Sequence, residues 1–189
     1  MLVMEKLTVE DYEAYYFDGK NQEYRHNGGY SDYTSERDYC HWVADKLVEK
    51  YPNLVGKRII DIGCAYGYTV ERLRELGVLA FGRDHSAFAI SQAPPAISQY
   101  LEVGDVLDAY PAQIKNAFSS RLFPCFEEAE VPAIITHFNS SFDNQLHIID
   151  TSLNDKYYLI KDWSWWIGLG WDIGTIFIDW NNRSREQIK

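Results

Sequence analysis

Three carboxylates stand where short apolar runs end. Asp61-Ile62-Gly63-Cys64-Ala65-Tyr66-Gly67 follows the apolar run Arg58 to Ile62 and precedes an amphipathic stretch, so it reads as the turn between a buried strand and a helix. Glycines there let the backbone approach a ligand closely, the N–H groups of the turn and helix start face it, and the Asp61 carboxylate attracts a cationic amine. Asp84 ends the next apolar run, about twenty residues beyond the glycine turn, where an acidic side chain accepts hydrogen bonds from a ribose diol. Gly104-Asp105-Val106 ends the third run and brings another carboxylate and further N–H groups within reach of an adenine ring. The ligand implied is an adenosine-containing small molecule. A nicotinamide dinucleotide fits poorly, because the turn lacks the G-x-G-x-x-G spacing.

Positioning these residues requires alternating strands and helices. A helix beginning at Ser35 carries Trp42, Val43, Leu47 and Val48 at helical spacing up to Pro52. Strands are expected over Arg58 to Ile62, Val78 to Arg83 and Gln99 to Val103, separated by helices over Thr69 to Leu76, closed by Gly77, and Ala87 to Gln92. Ala117 to Leu122 and Gln145 to Ile149 read as a fourth and fifth strand. The helix between them, Glu127 to Phe138, is shortened by Pro132 to a start near Glu130. Helical turns around Trp163 to Leu169 precede a last strand, Thr175 to Trp180, expected to run antiparallel. The alternation argues for an α/β, Rossmann-like three-layer sandwich with a mostly parallel sheet and the first strand at its centre. No internal repeat or linker divides residues 1–189, so a single domain is expected.

At 189 residues the chain can bury about 70% of its unfolded surface without disulfides or metal. Cys40, Cys64 and Cys125 are odd in number and lack metal-ligand spacing, which fits a reducing compartment and no metal site. The start of the chain lacks a secretory pattern and no apolar run has the length of a membrane span, so a cytoplasmic location without membrane partners is expected. A net charge of −10 repels phosphate backbones and disfavours nucleic acid as a partner. Asn139-Ser140-Ser141 and Asn182-Arg183-Ser184 match the glycosylation pattern by chance in such a setting. Oligomeric state is not legible.

The strand-end residues resemble those of the class I S-adenosylmethionine-dependent methyltransferases, over roughly Tyr30 to Asp150. The resemblance implies methyl transfer from S-adenosyl-L-methionine to O, N or C of a small-molecule acceptor, leaving S-adenosyl-L-homocysteine. It implies that Asp61, Gly63 and Gly67, with Cys64, Ala65 and Tyr66 of the same turn, hold the methionine part of the cofactor. Asp84 would take the ribose hydroxyls, Gly104, Asp105 and Val106 the adenine, and His85 and Ser86 would flank the adenosine, with Ser119 a further cofactor contact. Residues 1–34 resemble a lid, with Tyr30 and Tyr33 closing over the cofactor. Two departures stand out. Ala65 replaces the middle glycine of the turn and is accommodated if its backbone angles are negative. Asn116-Ala117-Phe118-Ser119-Ser120-Arg121 replaces an aspartate-led strand. These departures leave a catalytically reduced cofactor-binding protein as the alternative function.

Asp150, Arg121 and His147 are the candidate catalytic or substrate-contact residues, because ligands bind outside the carboxyl ends of strands in open α/β sheets. Little acid–base help is needed, since a sulfonium is already a good leaving group and orientation carries most of the rate. Pro124-Cys125 matches the nucleophile of cytosine-C5 methyltransferases, but the acidic chain has no matching partner segment, and Cys125 reads as a small core residue. Trp163, Trp165 and Trp166 read as core and partial substrate wall.

Overall fold

The computed structural model describes residues 14–18, 30–149, 159, 161–172, 176–179 and 186–188. In chain order the elements are α1 (Ala14–Phe17), α2 (Arg37–Lys50), β1 (Arg58–Ile62), α3 (Tyr68–Glu75), β2 (Leu79–Asp84), α4 (Ala87–Ser91), β3 (Leu101–Val103), β4 (Asn116–Ser120), α5 (Val131–Ser141), β5 (Asn144–Ile149), α6 (Trp163–Gly168), β6 (Ile176–Asp179) and β7 (Glu186–Ile188). Local chemistry sets the helix ends. Asp32 caps a 3-10 turn that leads into α2, accepting from Thr34 N–H, so the helix starts just after Ser35 rather than at it. Ser86 caps α4 by accepting from Ala89 N–H at 3.0 Å, and Pro132 occupies the first turn of α5, where its missing N–H costs nothing.

The strands lie in the order β3-β2-β1-β4-β5-β6-β7. Pairing is parallel from β3 through β6. One expectation is corrected here: β6, anticipated as antiparallel, runs parallel to β5, with Leu146 opposite Ile176 and Ile149 opposite Asp179. The connection over residues 150–175, which contains α6, is long enough for a crossover that returns the chain in the same direction. Only then does the chain reverse, and β7 pairs with β6 antiparallel.

Alternation along β1 builds the two helical layers. Ile60 and Ile62 point to one face, where α5 and α6 contribute Ile134, Phe138 and Trp166. Ile59 points to the other, against Val43 and Leu47 of α2 and Val70 and Leu73 of α3. Burial of each such side chain contributes roughly 1.5–3 kcal/mol, which anchors the sheet between its helices. The strand order reverses between β1 and β4, and such a reversal opens a crevice at the carboxyl ends of the strands. No helix among the described residues is long and apolar enough to cross a membrane.

Candidate functional site

A cavity of about 140 Å³ opens at this reversal. Asp61 from β1, Gly63, Cys64 and Ala65 from the following turn, Asp84 and His85 from the end of β2, and Ser120 and Arg121 from the end of β4 all line it. Tyr30, Tyr33, Tyr39 and Cys40 also line it.

The two acids differ in how they are held. Asp84, 7% exposed, accepts Ala65 N–H at 2.8 Å on one carboxylate oxygen and Ser86 N–H at 3.0 Å on the other. Its Oδ1 also lies 3.7 Å from His85 Nδ1. Asp61, 4% exposed, receives no hydrogen bond from the described residues, and burial, followed by the charge of Asp84, raises its carboxyl well above the usual carboxylate range. A buried acid without a donor, beside a second acid, favours a cation in the space between them.

The turn between β1 and α3 departs from expectation. Ala65 has φ +49, not a negative value, a left-handed conformation that costs an alanine about 1–2 kcal/mol. Its N–H bond to Asp84 helps to hold it there. The N–H groups of Gly63 and Cys64 donate to Arg83 O, and that of Gly67 donates to Cys64 O, so the turn spends these donors internally rather than on a ligand. Gly67, at φ +78, opens α3, and a Cβ there would meet Leu101 Cδ1 at 2.6 Å, so packing as well as conformation requires glycine. Tyr66 lies outside the cavity lining, in an aromatic cluster with Phe17, Tyr33 and Tyr68.

Other anticipated residues are not brought to the cavity. His147 is fully buried on the opposite face of the sheet, with Ser119 Oγ 2.8 Å from Nδ1, Gln145 Oε1 3.2 Å from Nε2, and the rings of Phe123, Phe138 and Trp171 around it. Burial lowers its pKa to about 3, so it stays neutral and serves the core rather than proton transfer. Ser119 shares that face; its neighbour Ser120 lines the cavity and lies 3.2 Å from Tyr39 Oη. Ser86 is fully buried and occupied as the α4 cap.

Gly104, Asp105 and Val106 lie outside the cavity lining. Asp105 is engaged in its own turn, where its carboxylate accepts Leu107 N–H, while Arg83 donates to Asp108 O and Ala109 O and holds the loop against Tyr110. Asp150 and most of residues 1–34 lie outside the described residues.

The cavity adds residues that sequence reasoning missed. Tyr39, Cys40 and Val43 come from the start of α2, Thr69 from α3, and Leu122 and Phe126 from the chain after β4. The helical spacing of Val43 is legible in the sequence, but not that the N-terminal half of α2 carrying it lines the cavity. Cys125, expected in the core, is half-buried on the cavity wall, with Sγ 3.6 Å from Arg121 O. Burial pushes the Cys40 thiol up to about 11 and raises the Tyr30 and Tyr33 phenols, so all three are protonated near neutral pH. Among the described residues, no group of His, Cys, Asp and Glu has the arrangement of a metal site.

Arg121 carries the second left-handed backbone among non-glycine residues, at φ +59. Strand alternation would send residue 121 to the same face as Ser119. The left-handed turn, fixed by the Arg121 N–H bond to Ile148 O at 2.8 Å, accompanies its placement beside Ser120 in the cavity wall instead. Its guanidinium donates to Glu36 at 3.1 Å and lies 4.7 Å from the ring centroid of Tyr39.

No protein-family model and no curated protein sequence matches the chain. Solved structures do. Magnesium protoporphyrin IX methyltransferase from Synechocystis PCC 6803 with bound SAH superposes with a TM-score of 0.51 at 19% identity, over 68% of this chain and 65% of that one. The same enzyme with bound SAM gives 0.50 at 20% identity, over 59% of this chain and 56% of that one. The chain thus spans less than two thirds of the length of these proteins. The likeness and the strand-end crevice agree: the chain has the fold of the class I S-adenosylmethionine-dependent methyltransferases.

Proposed function

We propose that the protein is an S-adenosylmethionine-dependent methyltransferase acting on a small-molecule acceptor. The observation that carries this reading is the pair of buried acids, Asp61 and Asp84, at the carboxyl ends of adjacent strands and on the wall of one cavity. The residues fit the amino-acid and ribose ends of the cofactor. Asp61 offers a carboxyl that a cationic amine would ionise, and Asp84, at the end of β2 on the cavity wall, has its carboxylate oriented by the Ala65 and Ser86 N–H groups where a ribose diol would lie. When bound, the cofactor supplies a methyl group on a positively charged sulfur. Gly104, Asp105 and Val106 are assigned to the adenine on the strength of the resemblance, with the Arg83-held loop as their support. His85 flanks the adenosine.

The rings over the cavity, Tyr30 and Tyr33 among them, exclude water from the reacting groups, and residues 1–34 act as the lid that carries them. Exclusion of water strengthens electrostatic interactions inside the site. Arg121, on the cavity wall, and Asp150, which follows β5 in the sequence, are the proposed acceptor contacts.

The test is a calorimetric titration with S-adenosylhomocysteine, followed by transfer of isotope-labelled methyl groups from S-adenosylmethionine to a panel of metabolites. Binding in the micromolar range and label in at least one small acceptor are expected. A protein that shows neither binding nor a thermal shift at millimolar S-adenosylhomocysteine overturns the reading.

A further inference from the structure

Among the described residues, only one of the two acids on the cavity wall receives N–H donors. Asp61 sits near the end of β1 on the face of Ile59, where α2 and α3 cover the sheet, and it is 4% exposed. Asp84 takes the N–H groups of Ala65 and Ser86 at 2.8 and 3.0 Å, whereas no hydrogen bond from the described residues reaches Asp61. Donors keep a buried carboxylate ionised, and two like charges on one wall oppose each other. The acid without donors is therefore the one that keeps its proton.

The groups around Asp61 leave that proton in place. Cys40 of α2, Tyr33 of the turn before it, Cys64 of the turn after β1 and Asp84 of β2 are the titratable groups that couple to it, and α3 adds the uncharged Thr69. Burial pushes the Cys40 thiol up to about 11 and raises the Tyr33 phenol and the Cys64 thiol, so all three are neutral near pH 7. The wall residues able to carry positive charge lie against other carboxylates. His85 Nδ1 is 3.7 Å from Asp84 Oδ1, and Arg121, at the end of β4, donates to Glu36 at 3.1 Å. Burial, followed by the charge of Asp84, accordingly holds the Asp61 carboxyl well above the usual carboxylate range.

We propose that this site exchanges a proton for the ammonium group of its ligand: uptake of S-adenosylmethionine or S-adenosylhomocysteine turns the Asp61 carboxylic acid into a carboxylate paired with that ammonium and releases one proton to solvent. The proposal rests on the methyltransferase reading for the identity of the ligand. The O–H bond of Asp61 breaks, its electron pair stays on oxygen, and the ammonium keeps its three hydrogens. The charge enclosed at the Asp61 end is zero both before and after, so neither state buries an uncompensated ion there. Methyl donor and product carry the same ammonium, so replacing one by the other moves no proton at Asp61. The surrounding pH therefore acts on occupancy of the site rather than on the transfer step.

The experiment is calorimetry on the full chain at pH 6 in buffers of different ionisation enthalpy, with two ligands. One is S-adenosylhomocysteine; the other is its deamino analogue, 5′-(3-carboxypropylthio)-5′-deoxyadenosine, which keeps the adenosine and the carboxylate but lacks the ammonium. S-adenosylhomocysteine should release close to one proton, and its affinity should rise about tenfold per pH unit until Asp61 is ionised in the free protein, then level off. The deamino analogue should release none and bind with a flat pH profile. Asp61→Asn should bind S-adenosylhomocysteine with no proton release and an equally flat profile; the comparison of ligands on the wild type stands even if that variant folds poorly. Binding of S-adenosylhomocysteine without proton release at pH 6 overturns the proposal and leaves the methyltransferase reading intact. Equal release with the deamino analogue, or undiminished release in Asp61→Asn, also overturns it, because the proton then comes from another group such as His85. A wild type that does not bind S-adenosylhomocysteine at millimolar concentration discards the methyltransferase reading and this proposal with it.

Discussion

Asp84→Ala tests both duties of the same carboxylate, because the structure gives it a fold role as well as the proposed ligand role. Its two oxygens accept Ala65 N–H at 2.8 Å and Ser86 N–H at 3.0 Å. Hydrogen bonds to a charged acceptor contribute roughly 1.5–3 kcal/mol each, so about 3–6 kcal/mol of interaction is removed. Part of this returns, because Asp61 loses the charged neighbour that disfavours its ionisation. A net loss of about 2–4 kcal/mol is expected, or about 5–15 °C in the melting temperature of a domain of this size. Ala65 should be the first residue to respond, since its left-handed φ of +49 depends on the Asp84 bond. The proposed ribose contact predicts a second, separable effect: S-adenosylhomocysteine affinity of the folded protein should fall on the order of tenfold to a hundredfold. Asp84→Asn should lie between, because an amide oxygen accepts one N–H while its NH2 opposes the other. The assay is a melt without ligand, for the first effect, and a titration below the variant's melting range, for the second. A variant that melts within 2 °C of wild type would refute the backbone role, and one that binds within twofold would refute the ribose assignment.

Two further outcomes follow from the buried titratable groups. A carboxyl whose folded pKa is raised holds a proton that the unfolded chain releases, so Asp61 weakens the fold as pH rises from the usual carboxylate range through its elevated value. Asp61→Asn should remove that slope and melt higher than wild type at pH 7 to 8 while binding S-adenosylhomocysteine more weakly; equal pH profiles of the two melts would show that Asp61 titrates normally. His147 has the opposite sign: its pKa is lowered from 6.5 to about 3, so the unfolded chain takes up the proton first and stability is lost as pH falls through that window. His147→Gln should flatten this acid-side loss and lower the melting temperature at pH 7, with the turnover of the folded variant within twofold of wild type; a large drop in turnover at unchanged stability would restore His147 as a catalytic candidate.

The regular elements were legible because apolar periodicity and turn chemistry are local. Arg58 to Ile62 is a strand as read, and Gly63 and Gly67 both take left-handed angles that a strand-to-helix turn needs. Asp61 and Asp84 at consecutive strand ends could be placed on one edge from spacing alone, since parallel strands joined by helices deliver their carboxyl ends to the same side. Three matters required the tertiary structure. Side-chain period is two along a strand, so a shift of one position exchanges cavity and core: Ser119 and His147 were counted with the site, whereas Ser120 is on the cavity wall and His147 fits among Phe123, Phe138 and Trp171. Backbone reversals override even that alternation, as at Arg121, whose left-handed turn goes with a place on the cavity wall that no sequence period announces. The direction of β6 and the place of Tyr39, Cys40 and Val43 on the cavity wall depend on how separated elements pack, and nothing in their own residues records it. Local sequence determines which residues turn, extend or coil; the face each one shows, and therefore which of them meet, is settled by contacts between segments far apart in the chain.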